Sequence, residues 1–306
     1  MKLYFYLLKL LSMEKYYLSF EPEFKAFCIE DAYIYALGYE VPMLGLNERG
    51  YELLGCPVPD KDAPVIGFLL GRDRDCYSAG YNYVLALAKL GYNLRFLTYP
   101  HCKAQLSGCK GLCLPGGSFA SPEAYYTDAK TKKVRFPNAR SKAYYDCIQL
   151  ALDMHIPILG ICAGAQMIAG CFGLKLYRNQ SYLETPIKHK NAKTEAHRLN
   201  VFPDTPLARI FGNDSQMFVN SRHKEMVAPV RIQRELWAQK RRTSPDRVNL
   251  PLDFYAESND GIPEALGCED DHILCVQWHP EDLVAAGDEQ QMGIFRWLAD
   301  EIKAQM

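Results

Sequence analysis

Three residues, Cys162, His279 and Glu281, have the types and surroundings from which a nucleophilic site can be built. Cys162 lies in Gly160-Ile161-Cys162-Ala163-Gly164, where an unbroken apolar run, Ile156 to Ile161, gives way at Ala163 to helical spacing. The run has the length and β-branched content of a strand buried on both faces. Glycines two positions either side of a cysteine suit a sharp strand-to-helix elbow, because small neighbours let the backbone close and push the nucleophile into the open. The joint is also a helix N-terminus, whose partial positive charge favours thiolate over thiol. A βα turn that needs glycines only for packing, with cysteine as a small apolar residue, would leave the same five residues.

The second segment, Gln277-Trp278-His279-Pro280-Glu281, supplies what a lone cysteine lacks. An imidazole in reach of the thiol takes its proton and later returns it to a leaving amine, and a carboxylate on the far ring nitrogen fixes the tautomer and steadies the imidazolium. His101, His155, His189, His197 and His272 read as ordinary packed or surface histidines. His223 is less clear, because it follows Asn220-Ser221-Arg222 at the end of an expected strand.

The elements that must position these groups alternate between strand and helix from Ala63 onward. Val65–Leu70 reads as a buried strand, Gly71–Asp75 as a polar turn, Tyr77–Leu90 as an amphipathic helix stopped by Gly91, and Asn93–Thr98 as a second strand. A third strand, Gly111–Leu114, runs into Pro115-Gly116-Gly117, followed by a tyrosine-containing loop, a helix from about Ser141 to Met154, and the strand leading to Cys162. Repeated βα units imply an α/β fold with a mainly parallel central sheet covered by helices on both faces. Ligands bind such sheets at the carboxyl ends of the strands, so the Gly116-Gly117 turn and Cys162 can face one crevice. Beyond Gly173 the texture is shorter, with strands at Thr194–Val201 and Gln216–Asn220 and a basic stretch, Val230 to Leu250, read as a solvated surface helix or loop. A hairpin through Asn259-Asp260-Gly261 joins Phe254–Ser258 to Ile262–Gly267, the strand Ile273–Gln277 delivers His279, and Asp288–Gln305 closes as an amphipathic helix.

At 306 residues with 48% hydrophobic content, the chain can bury a full core. It reads as one α/β domain, residues 63–306, with an N-terminal extension, residues 1–62, packed on it. A net charge of -1 offers no overall positive field for nucleic acid or an anionic membrane surface. The first twelve residues begin like a signal sequence, but Lys9 interrupts the apolar run and the stretch is too short to span a bilayer. Scattered, odd-numbered cysteines suit a reducing, cytoplasmic compartment better than a disulfide scaffold.

Taken in order, Pro115-Gly116-Gly117, Gly160 to Gln166 and Gln277 to Glu281 resemble the class I glutamine amidotransferase family of the peptidase C26 type. Within it, Gly116 to Tyr126, Asn220-Ser221-Arg222-His223 and Ala256 to Ala265 are similar to the γ-glutamyl-γ-aminobutyrate hydrolases, and the likeness spans about residues 63 to 300. The resemblance implies a flavodoxin-like sheet with a small antiparallel section. It also implies attack by Cys162 on a γ-glutamyl amide, a thioester resolved by water, His279 as base and acid, and Glu281 as its orienting partner. It places the oxyanion hole at the amides of Gly117 and Ala163, and the glutamyl contacts at Gly116, Gln166, Asn220, Ser221, Arg222 and His223. Ala163, where the hydrolase branch often has arginine, and Phe119-Ala120, in place of an acidic-aliphatic pair, leave the released amine open.

Three functions remain on the sequence: a free-standing γ-glutamyl hydrolase; a glutaminase subunit that feeds ammonia to a separate partner synthase; and a non-catalytic binding protein on the same fold. The expected ligand is a small γ-glutamyl compound, with no cofactor, no nucleic acid and no membrane span, and with homodimer or partner synthase left open. No metal is expected, since Cys102, Cys109 and Cys113 have no matching ligand pair.

Overall fold

The structure, a computed structural model, describes residues 2–10, 13–20, 27–28, 32–36, 39–73, 76–118, 120–179, 185, 187–191, 195–212, 216–245 and 248–306. Phe119 and Thr194 of the sequence reading lie outside them.

The chain builds a mixed sheet from β1 (Val65–Leu69), β2 (Asn93–Leu97), β3 (Gly111–Leu114), β4 (Ile158–Ile161), β5 (His197–Val201), β6 (Gln216–Val219), β7 (Asp253–Ser258), β8 (Pro263–Cys268) and β9 (Ile273–Val276). Its spatial order is β6-β5-β7-β8-β9-β4-β3-β1-β2, continued at the β2 edge by Tyr39–Gly45 and Ala32–Ala36. The five strands from β9 to β2 run parallel, and those outside them are antiparallel. The fold is thus the expected α/β sheet with a parallel centre.

Alternation along each central strand feeds two cores. Phe68, Cys113, Leu159 and Ile161 point to one face, under α1 (Tyr81–Ala88), α5 (Pro280–Ala285) and α6 (Met292–Ala304). Leu69, Leu112, Leu114 and Ile158 point to the other, under α2 (Ala139–Asp153) and α3 (Ala163–Cys171). Ile158, Leu159 and Ile161 are 0% exposed, and burying each such side chain stabilises the fold by about 1.5–3 kcal/mol. The basic stretch forms the surface helix α4 (Val230–Arg241), with Gln233 and Ala238 as its buried residues.

One stretch differs from the sequence expectation. Gly71–Asp73, from the expected turn, and the start of the helix expected from Tyr77 form an antiparallel pair, Gly71–Asp73 with Cys76–Gly80, while Arg74 and Asp75 lie outside the described residues; α1 begins only at Tyr81. Tyr77 and Ala79 are buried while Ser78 and Gly80 are less so, the period of a strand. Cys76–Gly80 also pairs with Lys2–Leu10, a long-range partner that local apolar spacing does not reveal. No helix among the described residues is long and apolar enough to cross a membrane.

Candidate active site

Strand register sets the site. Leu114 stands opposite Gly160, and Ile161 opposite Val276, so the residues that follow β3, β4 and β9 emerge side by side. Cys162 takes the turn with φ 52° and ψ -105°, a left-handed backbone costly for a residue with a β-carbon. Its amide donates to the Val276 carbonyl at 2.8 Å. The glycines make the turn possible: a β-carbon at Gly164 would lie 2.1 Å from the Leu114 carbonyl oxygen, and one at Gly160 2.6 Å from Ile168 Cδ1. Cys162 is the N-cap of α3, which puts the Ala163 amide among the first-turn donors without an intrahelical acceptor.

His279 is the N-cap of α5, with Pro280 at the first helical position, where a missing N–H and a fixed φ cost nothing. Its Nδ1 lies 2.6 Å from Glu281 Oε1, and Glu281 is 1% exposed. Burial disfavours the charged ring. The Glu281 carboxylate, followed by the hydrogen-bonding Cys162 sulfur, outweighs it and raises the imidazole from 6.5 to about 10.

Gly116 is where the three segments meet. A β-carbon on it would be 2.8 Å from His279 Cε1, 2.9 Å from Tyr83 Oη and 3.0 Å from Cys162 Cβ. Its amide donates to the Tyr83 hydroxyl at 3.0 Å, and that hydroxyl sits 3.1 Å from His279 Nδ1. Burial, and then the Glu281 charge, keep the Tyr83 hydroxyl protonated well past its ordinary range. Arg140 Nη2 donates to the Gly116 carbonyl at 3.0 Å, and the Tyr144 hydroxyl donates to the Pro115 carbonyl at 2.6 Å, which pins the turn. Gly117, at φ +136°, has no room for a side chain, since Arg140 Nη2 would meet it at 2.7 Å. A cavity of about 480 Å³ opens here, with Arg72, Tyr83, Gly117, Arg140, Arg222 and His279 among its walls.

The other residues expected from sequence are placed as follows. Arg222 lines the cavity and pairs with Asp282, with Glu281 Oε1 at 3.9 Å. Asn220 does not: its Nδ2 donates to the His279 carbonyl and its Oδ1 accepts from the His279 amide, both at 2.8 Å. The Ser221 hydroxyl donates to the His189 carbonyl at 2.7 Å, and His223 faces His189, His197 and Glu264 behind the site. Gln166 is 5% exposed and donates to the Glu225 carbonyl at 2.6 Å and to Gln277 Oε1 at 3.1 Å. In this structure their side chains are engaged within the protein. Tyr83 and Arg140 were not legible in the sequence, being one tyrosine of 20 and one cation of 35 with no motif around them.

Cys113 and Cys275, within the strands, are fully buried, and desolvation pushes both thiols up. They belong to the core.

A strained cysteine elbow at the carboxyl end of a central parallel strand, facing a histidine from a neighbouring strand end, belongs to the class I glutamine amidotransferase fold. A solved chain from Thermoplasma acidophilum described as a GMP synthase subunit shares that fold with a TM-score of 0.52, 19% identity and coverage of 80% of this chain and 97% of its own. Residues 94–281 match peptidase C26, and the chain belongs to that family. It is 29% identical over 174 residues to a glutamine amidotransferase-like protein, YvdE, of Lactococcus lactis, covering 56% of this chain and 65% of that one. It is 27% identical over 229 residues to a glutamine amidotransferase, PB2B2.05, of Schizosaccharomyces pombe, covering 73% and 81%. This family membership points to cysteine-dependent amide hydrolysis.

Proposed function

We propose that the protein is a hydrolase of γ-glutamyl amides, with Cys162 as nucleophile, His279 as acid and base, and Glu281 as the carboxylate that orients His279. The observation that carries this reading is the meeting of the strained Cys162 elbow and the buried His279–Glu281 pair across Gly116.

In the first half-reaction His279 takes the proton of the Cys162 thiol, the sulfur attacks the γ-carbonyl carbon and the carbonyl electrons move to oxygen. The amides of Gly117 and Ala163 are the candidate donors to that oxyanion, and removal of one such donor costs about 3 kcal/mol in well-studied hydrolases. The protonated His279 gives its proton to the leaving amine as the C–N bond breaks, leaving a γ-glutamyl thioester. In the second, His279 takes a proton from water, the hydroxide attacks the thioester, and glutamate leaves as the C–S bond breaks. Arg222, Arg72 and Arg140 give the cavity a cationic wall suited to the α-carboxylate of the glutamyl group.

A second reading, a glutaminase subunit, draws support from the fold shared with the Thermoplasma acidophilum chain described as a GMP synthase subunit. The two separate on activity alone. A mass-spectrometric screen of γ-glutamyl amides should show glutamate release by wild type, reduced by about 10³ or more in Cys162→Ala. If glutamate release stays at background until a synthase is added, the glutaminase reading replaces the hydrolase; if Cys162→Ala matches wild type, both fall.

A further inference from the structure

Behind the candidate active site, three histidines and a glutamate from four separate segments converge: His189, His197 at the start of β5, His223 after Ser221–Arg222, and Glu264 in β8. His189 and Glu264 are 0% exposed, His223 3% and His197 5%. Along the sequence His189 and His197 read as ordinary and His223 as less clear; their placement together with Glu264 is new.

Glu264 Oε1 lies 3.4 Å from His189 Nδ1, 3.3 Å from His197 Nε2 and 3.6 Å from His223 Nε2. These contacts are too long for good hydrogen bonds, and the three nitrogens and both Glu264 oxygens are buried without a hydrogen-bond partner among the described residues. A tetrahedral ion bound at about 2.0–2.1 Å holds its ligand atoms about 3.3–3.4 Å apart, and the three nitrogens stand 3.3–3.6 Å from Glu264 Oε1.

The far side of each ring fixes the tautomer. His197 Nδ1 faces the Arg198 carbonyl at 3.3 Å and His223 Nδ1 the Glu225 carbonyl at 3.1 Å. A carbonyl only accepts, so those nitrogens carry the protons. His189 Nε2 meets Asp260 Oδ2 at 3.0 Å, the carboxylate–histidine arrangement that orients metal ligands. In their neutral forms His197 and His223 therefore turn lone pairs inward, toward the Glu264 carboxylate. Without a cation, that is either uncompensated repulsion or several imidazolium charges crowded in a dry pocket, and both are costly.

We propose that His189, His197, His223 and Glu264 form a closed, structural site for one divalent transition-metal ion of the zinc type. Three imidazoles and one carboxylate, with ligand atoms all within 4.8 Å of one another, select such an ion over magnesium or calcium, which take oxygen ligands in larger number. With four protein ligands, it keeps no open position for substrate. Its place explains its use: the ion joins β5 and β8 to the segment carrying Asn220, the residue bonded to the main chain of His279. The proposal stands apart from the hydrolase reading, because metal content is its readout.

The test uses the full chain, purified without added metal, stripped with a chelator and titrated with Zn²⁺ and Co²⁺. The expected result is one tight equivalent of Zn²⁺, a rise in melting temperature on loading, and an intense visible Co²⁺ spectrum of four-coordinate type. His197→Asn and Glu264→Gln should each weaken binding at least tenfold, while Cys162→Ser keeps wild-type affinity. Folded wild type that binds neither ion, a weak six-coordinate Co²⁺ spectrum, or full binding in both ligand variants would each overturn the site. Should the ligand variants fail to fold, the wild-type stoichiometry and spectrum decide alone.

Discussion

Asn220 grips His279 by its main chain from both sides, donating to its carbonyl and accepting from its amide at 2.8 Å each. A residue expected from sequence to contact substrate thus holds the proposed acid–base in place. Both bonds are buried, so Asn220→Ala strands a donor and an acceptor and should lower unfolding free energy by about 2–3 kcal/mol. It should also lower kcat on a γ-glutamyl anilide by about tenfold or more, with KM moving little. Asn220→Asp keeps the acceptor and loses the donor, and should fall between. Denaturant unfolding and steady-state kinetics on the same preparations check this; a raised KM with unchanged kcat would return Asn220 to a substrate contact.

Most of the frame was legible because it rests on local signals. Apolar runs mark β1, β3, β4 and β9, and glycines that tolerate no β-carbon mark the elbow. His279 and Glu281 are legible because two residues and a proline fix their spacing. What was not legible depends on partners distant in sequence. Cys76–Gly80 is a strand because it pairs with Lys2–Leu10, and Tyr83 enters the site because α1 packs beside the Gly116 turn. The histidines around Glu264 fall in three different segments, so no short spacing announces them. Sequence shows that the polar residues Asn220 to His223 reach the end of a strand, not which way they turn.

Glu281 sets the proton affinity of His279, which gives a signed pH prediction. Since the folded imidazole is raised from 6.5 to about 10, its protonation stabilises the fold fully below 6.5, and that contribution is lost as pH rises through about 10. Glu281→Gln removes the favourable charge and leaves the burial penalty, so the ring should titrate well below its wild-type value. Wild type should therefore lose stability relative to Glu281→Gln between about pH 7 and 10, and NMR of the His279 ring should show the downward move directly. Activity near neutrality should drop by about 10² or more in the variant. Parallel stability curves for the two proteins across that range would refute the assignment.

Tyr83 joins the Gly116 turn to the His279 ring through one hydroxyl. Tyr83→Phe keeps the packing against Phe68 and removes only that oxygen. The Gly116 amide loses its acceptor and the ring loses a restraint, so kcat should fall by about tenfold while the melting temperature changes by only a few degrees. Equal kcat in the two proteins would reduce Tyr83 to a packing residue.

Two glycine-to-alanine changes separate site from scaffold. At Gly116 the added carbon meets the His279 ring and the Tyr83 hydroxyl at 2.8 and 2.9 Å, which small rotations can displace, and Cys162 Cβ at 3.0 Å, which yields only by a slight shift of the elbow backbone. At Gly164 it meets the Leu114 carbonyl oxygen at 2.1 Å, and relief requires the backbone of α3 to move away from β3. Gly116→Ala should therefore leave a folded protein with its melting temperature within a few degrees and its activity reduced by about 10² or more, because the sulfur and ring no longer meet. Gly164→Ala should cost about 3 kcal/mol or more of stability, since two central elements cannot relax independently. Thermal unfolding with labelling of Cys162 by an electrophilic glutamine analogue tells them apart: Gly116→Ala labels slowly while folded, and Gly164→Ala melts early. An active, stable Gly164→Ala would mean that the elbow does not need the close approach of helix and strand assigned to it.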